Sequence, residues 1–234
     1  MATYNGESFI REQLTSILSQ LVFDDEVWIA DDGSTDDTLE IVKEFRDPRV
    51  QIISSAKKRL GPIYNLERAL YRARGNWIFL ADQDDVWLPN KVAQVLAELE
   101  NSGADCVLHD AYFYAQKKNG IWESEKRIFE VRPPQHGVLA NVTKNSFTGC
   151  CMAFRRELLE TALPFPAKLP MHDQWIGLCA EKKKKVRFLN EPLLKYRRHL
   201  HNATDLANGK KAGLWQKLLW RLNLARICLF RLGR

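Results

Sequence analysis

The first half of the chain alternates short apolar runs with amphipathic segments, and this alternation restricts the fold more than any other feature of the sequence. Four apolar runs predict buried strands, at residues 27–30, 50–54, 77–81 and 106–108. The segments between these runs have the apolar spacing of helices, and Pro89 is placed to open one of them. Strands that alternate with helices predict an α/β fold with a mostly parallel central sheet flanked by helices.

The second half of the chain is less regular. Residues 117–134 are polar and are expected to form a loop, whereas residues 158–162 and 172–180 have the spacing of short helices. Nearer the start of the chain, Ser34 and Asp37 have the three-residue separation of a capping box, so Ser34 is predicted to be a helix N-cap.

Charge is distributed unequally along the chain. Residues 1–181 contain 27 acidic and 20 basic side chains, whereas residues 182–234 contain 2 acidic and 15 basic ones, so the net charge of +6 hides an acidic body and a basic tail. The tail is expected to meet an anionic surface. Nucleic acid is not an expected partner, because the acidic body would repel its phosphates.

Five cysteines are present, and no two of them form a C-x-x-C pair. This number and spacing argue against a disulfide framework and against a zinc ribbon. There is no apolar run of about 18 residues, and the first residues lack the basic and apolar segments of a signal peptide. We therefore expect reduced thiols and a cytoplasmic protein.

Acidic residues directly follow two of the predicted strands. Asp82 and Asp84 come after the strand at 77–81, and in an extended segment two residues of this separation project to the same side. Two converging carboxylates repel each other unless a cation lies between them, and Mg²⁺ or Mn²⁺ would bridge them to the phosphates of a substrate. The alternative is an acidic turn that binds no ligand.

A second acidic turn, Asp31-Asp32-Gly33-Ser34, ends the strand at 27–30. In a parallel α/β sheet ligands bind at the carboxyl ends of the strands, so both turns are expected at one edge. A carboxylate there can accept hydrogen bonds from a ribose hydroxyl or a base N–H. The alternative for Asp32 is that it only caps the next helix.

Six motifs then resemble, in order, the family 2 inverting glycosyltransferases, and the combination looks most like the branch of rhamnosyltransferases that build bacterial surface polysaccharides. The likeness spans about residues 2–205. The motifs are A-T-Y-N-G-E at 2–7, D-D-G-S-T-D-D-T at 31–38, A-D-Q-D-D-V-W-L-P-N-K at 81–91, F-T-G-C-C-M-A-F at 147–154, M-H-D-Q-W at 171–175 and Y-R-R-H at 196–199.

This resemblance implies a nucleotide-binding α/β fold of the GT-A type with a divalent cation, Mg²⁺ or Mn²⁺. It implies that Tyr4 and Asp32 contact the base or ribose of a nucleotide diphosphate sugar, with Glu7 as a further donor contact. It also implies that Asp82 touches the ribose or the metal and that Asp84 ligates the metal. The donor suggested by the resemblance is dTDP-L-rhamnose, and the acceptor is a glycan, expected to be lipid-linked.

Asp173 matches the position of the family's catalytic base. Inverting transfer needs one group to take the proton of the acceptor hydroxyl as that hydroxyl attacks, which a carboxylate within about 3 Å can do. The alternative is a carboxylate that only caps the N-terminus of a helix. His199 is a candidate third metal ligand or diphosphate contact, and Arg197 and Arg198 are candidate phosphate contacts.

The predicted organisation is a glycosyltransferase domain at 1–205, with a nucleotide-binding half at about 1–100 and an acceptor half at about 101–205, followed by a basic amphipathic helix at 206–234. That helix mixes tryptophan, leucine, lysine and arginine, so we expect it to lie on the cytoplasmic face of a membrane. The alternative is a helix that packs on its own domain.

Relatives normally begin with an apolar strand before the Thr-Tyr-Asn turn, and here Met1 stands where that strand would end. We therefore expect a missing first strand and a frayed nucleotide pocket near Tyr4. Two other functions remain open. A sugar-phosphate nucleotidyltransferase would need a basic glycine-rich loop near its N-terminus, which is not seen, and a truncated non-catalytic protein would not need its carboxylates.

Overall fold

The computed structural model of the protein describes residues 1–54, 59–116, 122–198 and 213–232. Its strands are β1 (Ala2–Thr3), β2 (Val27–Asp31), β3 (Val50–Ser54), β4 (Trp77–Phe79), β5 (Val86–Trp87), β6 (Cys106–Gln116), β7 (Trp122–Arg127), β8 (Met152–Arg155) and β9 (Val186–Arg198). Its helices are α1 (Ile10–Leu18), α2 (Thr38–Glu44), α3 (Gly61–Arg72), α4 (Lys91–Ser102), α5 (Ile128–Val131), α6 (Val138–Thr143), α7 (Leu159–Ala162), α8 (His172–Lys182) and α9 (Leu214–Leu232).

The strands form two sheets that meet at one point. The first sheet has the order β1-β2-β3 and is parallel throughout. The second has the order β4-β8-β6-β9-β5, with β7 paired to β6, and of its pairs only β6 with β9 is parallel. A single parallel bridge between Ala2 and Asp82 links the sheets. The α/β class is therefore confirmed, and parallel pairing occurs in both sheets, between β1, β2 and β3 and between β6 and β9.

Three sequence expectations differ from the structure. The polar segment at 117–134, expected to be a loop, contains β7 and α5, because β7 pairs with β6 alone and needs no apolar face. Ser34 is not an N-cap, since α2 begins only at Thr38 and the Ser34 hydroxyl donates to Asp31 at 2.5 Å. Tyr196, Arg197 and Arg198 of the last motif belong to a strand, β9, that was not predicted.

Two apolar clusters carry most of the core and lie on opposite sides of the β1–β2 and β4 region. One packs α3, β8, α7, α8 and part of α9 around Trp175, which is fully buried and donates its indole N–H to the carbonyl of Ala162 at 2.9 Å. The other packs α1, β2 and β5, and includes Ile10 and Leu14. The two acidic turns lie where these clusters meet at the sheet edge.

Helix α9 packs on the body through one face only. Leu224, Cys228 and Leu232 are buried against the cluster around Trp175. None of the helices in the described ranges combines the length and the apolarity needed to cross a bilayer. All five cysteines are buried and free.

Candidate functional site

The two acidic turns lie side by side because β1 pairs with β2 and makes a single bridge to the turn that follows β4. Thr3 lies opposite Asp31 on β2, and Ala2 bridges to Asp82, which follows β4. The backbone therefore places the two turns at the same sheet edge, as expected from the sequence. Tyr4 and Asn5 follow β1 at this edge and contact one turn each, through Gln83 and Ser34.

The loop that contains Tyr4 is fastened to the second acidic turn. The amide of Gln83 accepts a hydrogen bond from the N–H of Tyr4 at 2.9 Å and donates one to its carbonyl at 3.0 Å. Gly6 makes this approach possible, because a Cβ there would lie 2.5 Å from Oε1 of Gln83. The backbone at Tyr4 is therefore not frayed, because these side-chain hydrogen bonds hold it, whereas the expectation of an incomplete nucleotide pocket stays a prediction.

The same loop is also joined to the start of α2. The N–H of Asn5 donates to Oγ of Ser34, and Oε2 of Glu7 accepts from the N–H of Asp37 at 3.1 Å. The carboxylate of Glu7 is thus engaged with the backbone ahead of α2. Its contact with a donor nucleotide stays a prediction.

Asp32 lies in a small cluster with Tyr4 and an arginine that the sequence did not single out. Its two carboxylate oxygens accept from the N–H groups of Leu60 and Gly61, at 2.7 and 2.9 Å, so Asp32 orders the loop ahead of α3. Nε of Arg59 lies 3.9 Å from the same carboxylate, and its guanidinium lies 3.5 Å from the centre of the Tyr4 ring. An aromatic ring, a cation and a carboxylate can together bind a nucleoside and its phosphates.

Asp31, the neighbour of Asp32, stabilises the turn itself. It is completely buried, and its carboxylate accepts from the N–H groups of Gly33 and Ser34 at 2.9 and 2.8 Å. These bonds form the turn that directs Asp32 towards the cleft. Of the two carboxylates, only Asp32 is therefore a candidate ligand contact.

Three predicted carboxylates converge at the cleft. Removal from water, together with repulsion from Asp84 and Asp173, raises the pKa of Asp82 to about 7, although Asp82 keeps a solvent-exposed face. Such repulsion between residues 82 and 173 requires that the two ends of this site lie close in space. The sequence analysis predicted these residues separately, and the fold brings them together.

A fourth carboxylate, Asp85, lies beneath this group. It is fully buried, and it accepts a hydrogen bond from the N–H of Arg197 at 3.0 Å. Burial, with repulsion from Asp84 and Asp82, raises its pKa well above the usual value and favours the protonated acid. Asp85 belongs to the acidic motif, but the sequence analysis did not predict its burial. Periodicity does not indicate which carboxylate of a turn points inward.

The possible metal ligands that lie together in the described residues differ from the predicted pair. Asp82, Asp85 and the thiol of Cys150 have ligand atoms within 4.8 Å of one another, and Asp84 is not part of this group. Burial raises the pKa of the Cys150 thiol well above its usual value, so this sulfur stays protonated and does not suit Mg²⁺ or Mn²⁺. Such ions prefer carboxylate oxygens, and metal binding by Asp82 and Asp84 stays a prediction.

A buried lysine offsets part of this negative charge. Nζ of Lys91 donates to the carbonyl of Cys150 at 2.9 Å and lies 4.1 Å from the centre of the Trp87 ring. Burial lowers the pKa of Lys91 to about 8, while the nearby carboxylates Asp85 and Asp82 act in the opposite direction. This residue was not predicted, because a lone lysine at the start of an amphipathic helix has no distinguishing signal.

Asp173 lies at the start of α8 and is held in a fixed orientation. Its Oδ2 accepts from the N–H of Gly149 at 3.1 Å, and its Oδ1 accepts from the N–H of Gln174 at 2.7 Å. A Cβ at Gly149 would lie 3.2 Å from Nε2 of His172 and 3.4 Å from Cβ of Asp173, so glycine allows this close approach. The capping alternative and the role of a base are compatible, because each oxygen retains a free lone pair.

Of the remaining candidates, Arg197 and Arg198 are the last two residues of β9. His199 lies outside the described residues. Arg197 is buried, and its guanidinium pairs with Glu12 at 2.6 Å, so it ties β9 to α1. The guanidinium of Arg198 lies 5.0 Å from the centre of the Phe113 ring. The contacts that are seen for these two arginines are with protein groups.

Comparison with known proteins agrees with this geometry. The sequence profile described as Glycosyl transferase family 2 matches residues 1–163. A dTDP-rhamnosyl transferase of Shigella flexneri, RfbG, is 27% identical over 97% of this chain and 83% of its own length. The Escherichia coli UDP-Glc:alpha-D-GlcNAc-diphosphoundecaprenol beta-1,3-glucosyltransferase WfgD is 26% identical over 81% of this chain and 71% of its own length.

Solved structures share the fold. TarS 1-349 of S. aureus superposes with a TM-score of 0.66 at 23% identity, covering 84% of this chain, which spans only 58% of that structure. Its complex with UDP-GlcNAc gives a TM-score of 0.68 at 19% identity, with 98% of this chain and 71% of that one covered. Glucosyl-3-phosphoglycerate synthase of Mycobacterium tuberculosis, solved with Mn²⁺, UDP and phosphoglyceric acid, gives a TM-score of 0.59 at 20% identity, covering 99% of this chain and 76% of that one.

Proposed function

Since the chain belongs to glycosyl transferase family 2, we propose that it is an inverting glycosyltransferase that moves a sugar from a nucleotide diphosphate donor to a hydroxyl of a glycan. The observation that carries this proposal is that Asp173 accepts from the N–H of Gly149 at 3.1 Å while the thiol of the next residue, Cys150, lies within 4.8 Å of a carboxylate oxygen of Asp82, so the proposed base and the acidic turn lie close together. A cleft lined by carboxylates on two sides suits a bound cation on one side and a proton acceptor on the other.

The donor half, at about 1–100, would bind the nucleotide. Tyr4, Arg59 and Asp32 form its nucleoside wall, and Glu7 is the more distant donor contact. We propose that Asp84 and Asp82 hold Mg²⁺ or Mn²⁺, with His199 as a candidate third ligand. The cation, when bound, would neutralise charge that develops on the leaving diphosphate. The M. tuberculosis relative named above was solved with Mn²⁺.

The acceptor half, at about 101–205, would supply the base. Asp173 takes the proton of the acceptor hydroxyl while the oxygen of that hydroxyl forms a bond to the anomeric carbon. The bond from that carbon to the diphosphate breaks, and its electron pair leaves with the nucleoside diphosphate. The hydrogen bonds from Gly149 and Gln174 hold the carboxylate in place during this step, and such positioning provides much of the rate in reactions of this kind.

For the sugar, we propose L-rhamnose from dTDP-L-rhamnose, in the synthesis of a surface polysaccharide such as O-antigen. The support is the likeness to the dTDP-rhamnosyl transferase RfbG over 97% of this chain. The likeness to WfgD, which acts on a sugar linked to diphosphoundecaprenol, supports a lipid-linked acceptor. Such an acceptor would place the protein on the cytoplasmic face of a membrane.

We further propose that the basic segment at 206–234 provides the membrane contact. Along α9 an apolar stripe faces outward, and this stripe is opposite the face that packs on the body. Its members are exposed by 44% to 79% and comprise Trp215, Leu218, Leu219, Leu222, Leu229 and Phe230. Arg221 and Arg226 are also exposed. An exposed apolar stripe with cationic neighbours suits the interface of an anionic bilayer.

The enzymatic proposal is tested with nucleotides and metal. Thermal melting with dTDP or UDP should show stabilisation in the presence of Mn²⁺ or Mg²⁺, and no stabilisation when a chelator replaces the metal. A panel of nucleotide sugars with a lipid-linked acceptor should then release nucleoside diphosphate from one donor. Equal melting shifts with metal and with chelator would contradict the metal site, and release of diphosphate from no donor would contradict the activity.

The membrane proposal is tested by sedimentation with vesicles that contain phosphatidylglycerol. Leu219→Gln combined with Leu222→Gln should leave the protein in the supernatant, because both side chains lie on the outward stripe. Phe23→Gln is the matched control, since Phe23 is 84% exposed on the acidic body. If the α9 variant sediments as well as the control, the membrane role of this helix is excluded.

A further inference from the structure

A cavity of about 380 Å³ lies in the acceptor half, and the acidic turns do not contribute to its described lining. Its apolar walls include the rings of Phe129 on α5 and Phe188 on β9, which meet edge to face at 6.1 Å between centroids. Its polar lining comprises Asp110, Arg127, Glu130 and Asn190. Apolar walls with a few polar groups are the usual form of a small-molecule site of this size.

A buried ion pair fixes the arginine of this cavity. The side chain of Asp110 is fully buried, and Nε of Arg127 donates to its Oδ2 at 2.6 Å. Nη2 of Arg127 donates to the backbone carbonyl of Asn190 at 2.9 Å and to its Oδ1 at 2.7 Å. Within the residues that the structure describes, Nη1 makes no hydrogen bond, and the arginine side chain is 30% exposed. A guanidinium in a fixed orientation, with N–H groups to spare, is preorganised to donate to a ligand.

A bulge in the sheet lies beside the cavity. His109 pairs with Leu189 and Asp110 pairs with Pro192, so Asn190 and the residue after it lie outside the β6–β9 ladder. Bulges re-aim side chains and are common next to functional sites. Here the bulge brings Asn190 against the guanidinium of the fixed arginine and interrupts the strand pairing at the cavity.

The cavity lies at the same sheet edge as the candidate active site. Strands β4 and β6 are both antiparallel to β8, so they are parallel to each other. Leu80 and Leu108 contact Met152 from opposite sides, which places them about 10 Å apart, two strand spacings. Asp82 and Asp110 are each two residues beyond this level. Linked sugar rings can span such a distance.

Helix α5 joins the cavity to the segment that orients the proposed base. Near its start, the N–H of Phe129 donates to Oδ1 of Asp110 at 3.0 Å. Just after its end, Nη1 of Arg132 donates to the carbonyl of Phe147 at 2.8 Å, two residues ahead of the glycine that donates to Asp173. The cavity is therefore attached to the acceptor side of the site.

The charges of the cavity favour a neutral ligand. Asp110 offsets the charge of Arg127, and exposed Glu130 adds a negative charge at the rim. A carboxylate or phosphate there would be repelled. The spare N–H groups of the arginine and the amide of Asn190 can hydrogen-bond hydroxyls, and the negative face of an aromatic ring attracts the C–H groups of a sugar ring. These features together suit an uncharged saccharide.

We propose that this cavity, which we call the saccharide pocket, binds a neutral sugar ring of the acceptor glycan, next to the sugar that receives the transferred residue. The inference rests on the proposed transferase function. Arg127 and Phe188 would then determine acceptor specificity, since they would hold the neighbouring sugar while Asp173 acts on the reacting hydroxyl. Glycans with an anionic sugar at that position would be excluded by Glu130.

Binding is tested without any transfer reaction. Saturation-transfer NMR is recorded on the whole chain with neutral methyl glycosides of glucose, N-acetylglucosamine and rhamnose at millimolar concentration. At least one of them should give a signal, whereas the methyl glycoside of glucuronic acid should bind at least tenfold more weakly than that of glucose. These last two probes differ only in the carboxylate, so they report the charge of the pocket.

Two substitutions assign the signal to the pocket. Arg127→Lys keeps the charge but loses the planar fork, so glycoside affinity should fall about tenfold. With a glycan acceptor, the same variant should raise the acceptor KM about tenfold and leave kcat at saturation and donor Kd unchanged. Arg187→Lys is the matched control, because Arg187 is an exposed arginine of β9 outside the cavity lining. If Arg127→Lys does not fold, exposed Glu130→Arg is measured, and it should bind the glucuronide at least tenfold more tightly.

The outcomes separate this inference from the proposed function. The saccharide pocket is overturned if no neutral glycoside gives a signal, or if Arg127→Lys binds it as well as the control does. It is also overturned if the glucuronide binds as tightly as the glucoside. Metal-dependent stabilisation by nucleotide without a glycoside signal would leave the transferase proposal standing and remove the pocket. Glycoside binding that needs Arg127, with no release of nucleoside diphosphate from any donor, would remove the transferase proposal and keep a saccharide site.

Discussion

Replacing Asp173 by asparagine is the sharpest test of the proposed chemistry, because asparagine keeps the shape of the carboxylate and removes its basicity. Loss of a general base lowers the rate by about 10²–10⁴-fold. At 1.36 kcal/mol for each factor of ten, this corresponds to about 2.7–5.4 kcal/mol in the activation free energy. The assay is kcat at saturating donor and acceptor, with the donor Kd measured separately by calorimetry.

The same structure bounds the effect of this change on folding. Asp173 accepts two backbone hydrogen bonds, and the amide of asparagine can keep one of them. The loss of one hydrogen bond is worth about 1 kcal/mol, and it is partly offset because repulsion with Asp82 disappears. The variant should therefore remain folded and bind donor within about threefold of the original protein. A kcat within fivefold of the original would refute the assignment of Asp173 as the base.

Three further substitutions give independent readouts. Gly149→Ala should lower kcat about tenfold with little change in donor Kd, because its Cβ would stand only 3.2 Å from Nε2 of His172 and would shift that residue and the proposed base beside it; kinetics with donor titration checks this. Gly177→Ala should destabilise the fold by about 1–3 kcal/mol, because its Cβ would lie 2.6 Å from the ring of buried Phe147; urea unfolding measures it. Burial holds the pKa of His109 well below 6.5, so only the unfolded chain takes up this proton and the free energy of unfolding should fall below that pH; the fall should be smaller in His109→Gln.

The sequence predicted the donor half of the fold better than the acceptor half. Residues 27–30 and 50–54 were recognisable because they are short apolar runs, and β2 and β3 cover them almost residue for residue. Strand β7 was missed because its sequence, Trp-Glu-Ser-Glu-Lys-Arg, is polar, as an edge strand allows. The antiparallel pairing of β4, β8 and β6 joins residues far apart in the chain, and local periodicity contains no information on it.

At the site, the residue types were predictable but their orientation was not. Asp82 and Asp84 follow a strand and were expected at the sheet edge, whereas the inward position of Asp85 depends on its bond to the backbone of β9. Arg59 comes from a loop without any periodic pattern, so its position over the Tyr4 ring could not be foreseen.

The charges of the site also predict how its two ligands depend on each other. A nucleoside would meet Tyr4, Asp32 and Arg59, whereas the diphosphate would lie towards Asp82 and Asp84. Burial, followed by repulsion from Asp84 and Asp173, raises the pKa of Asp82 to about 7, so a diphosphate anion needs a cation between itself and these carboxylates. Mn²⁺ should therefore tighten the binding of dTDP or UDP by at least tenfold and leave thymidine or uridine binding unchanged, as measured by calorimetry with and without chelator. If Mn²⁺ tightened nucleoside binding equally, the cation would act on the fold as a whole, and the separation of the site into a nucleoside wall and a metal-bound diphosphate would be wrong.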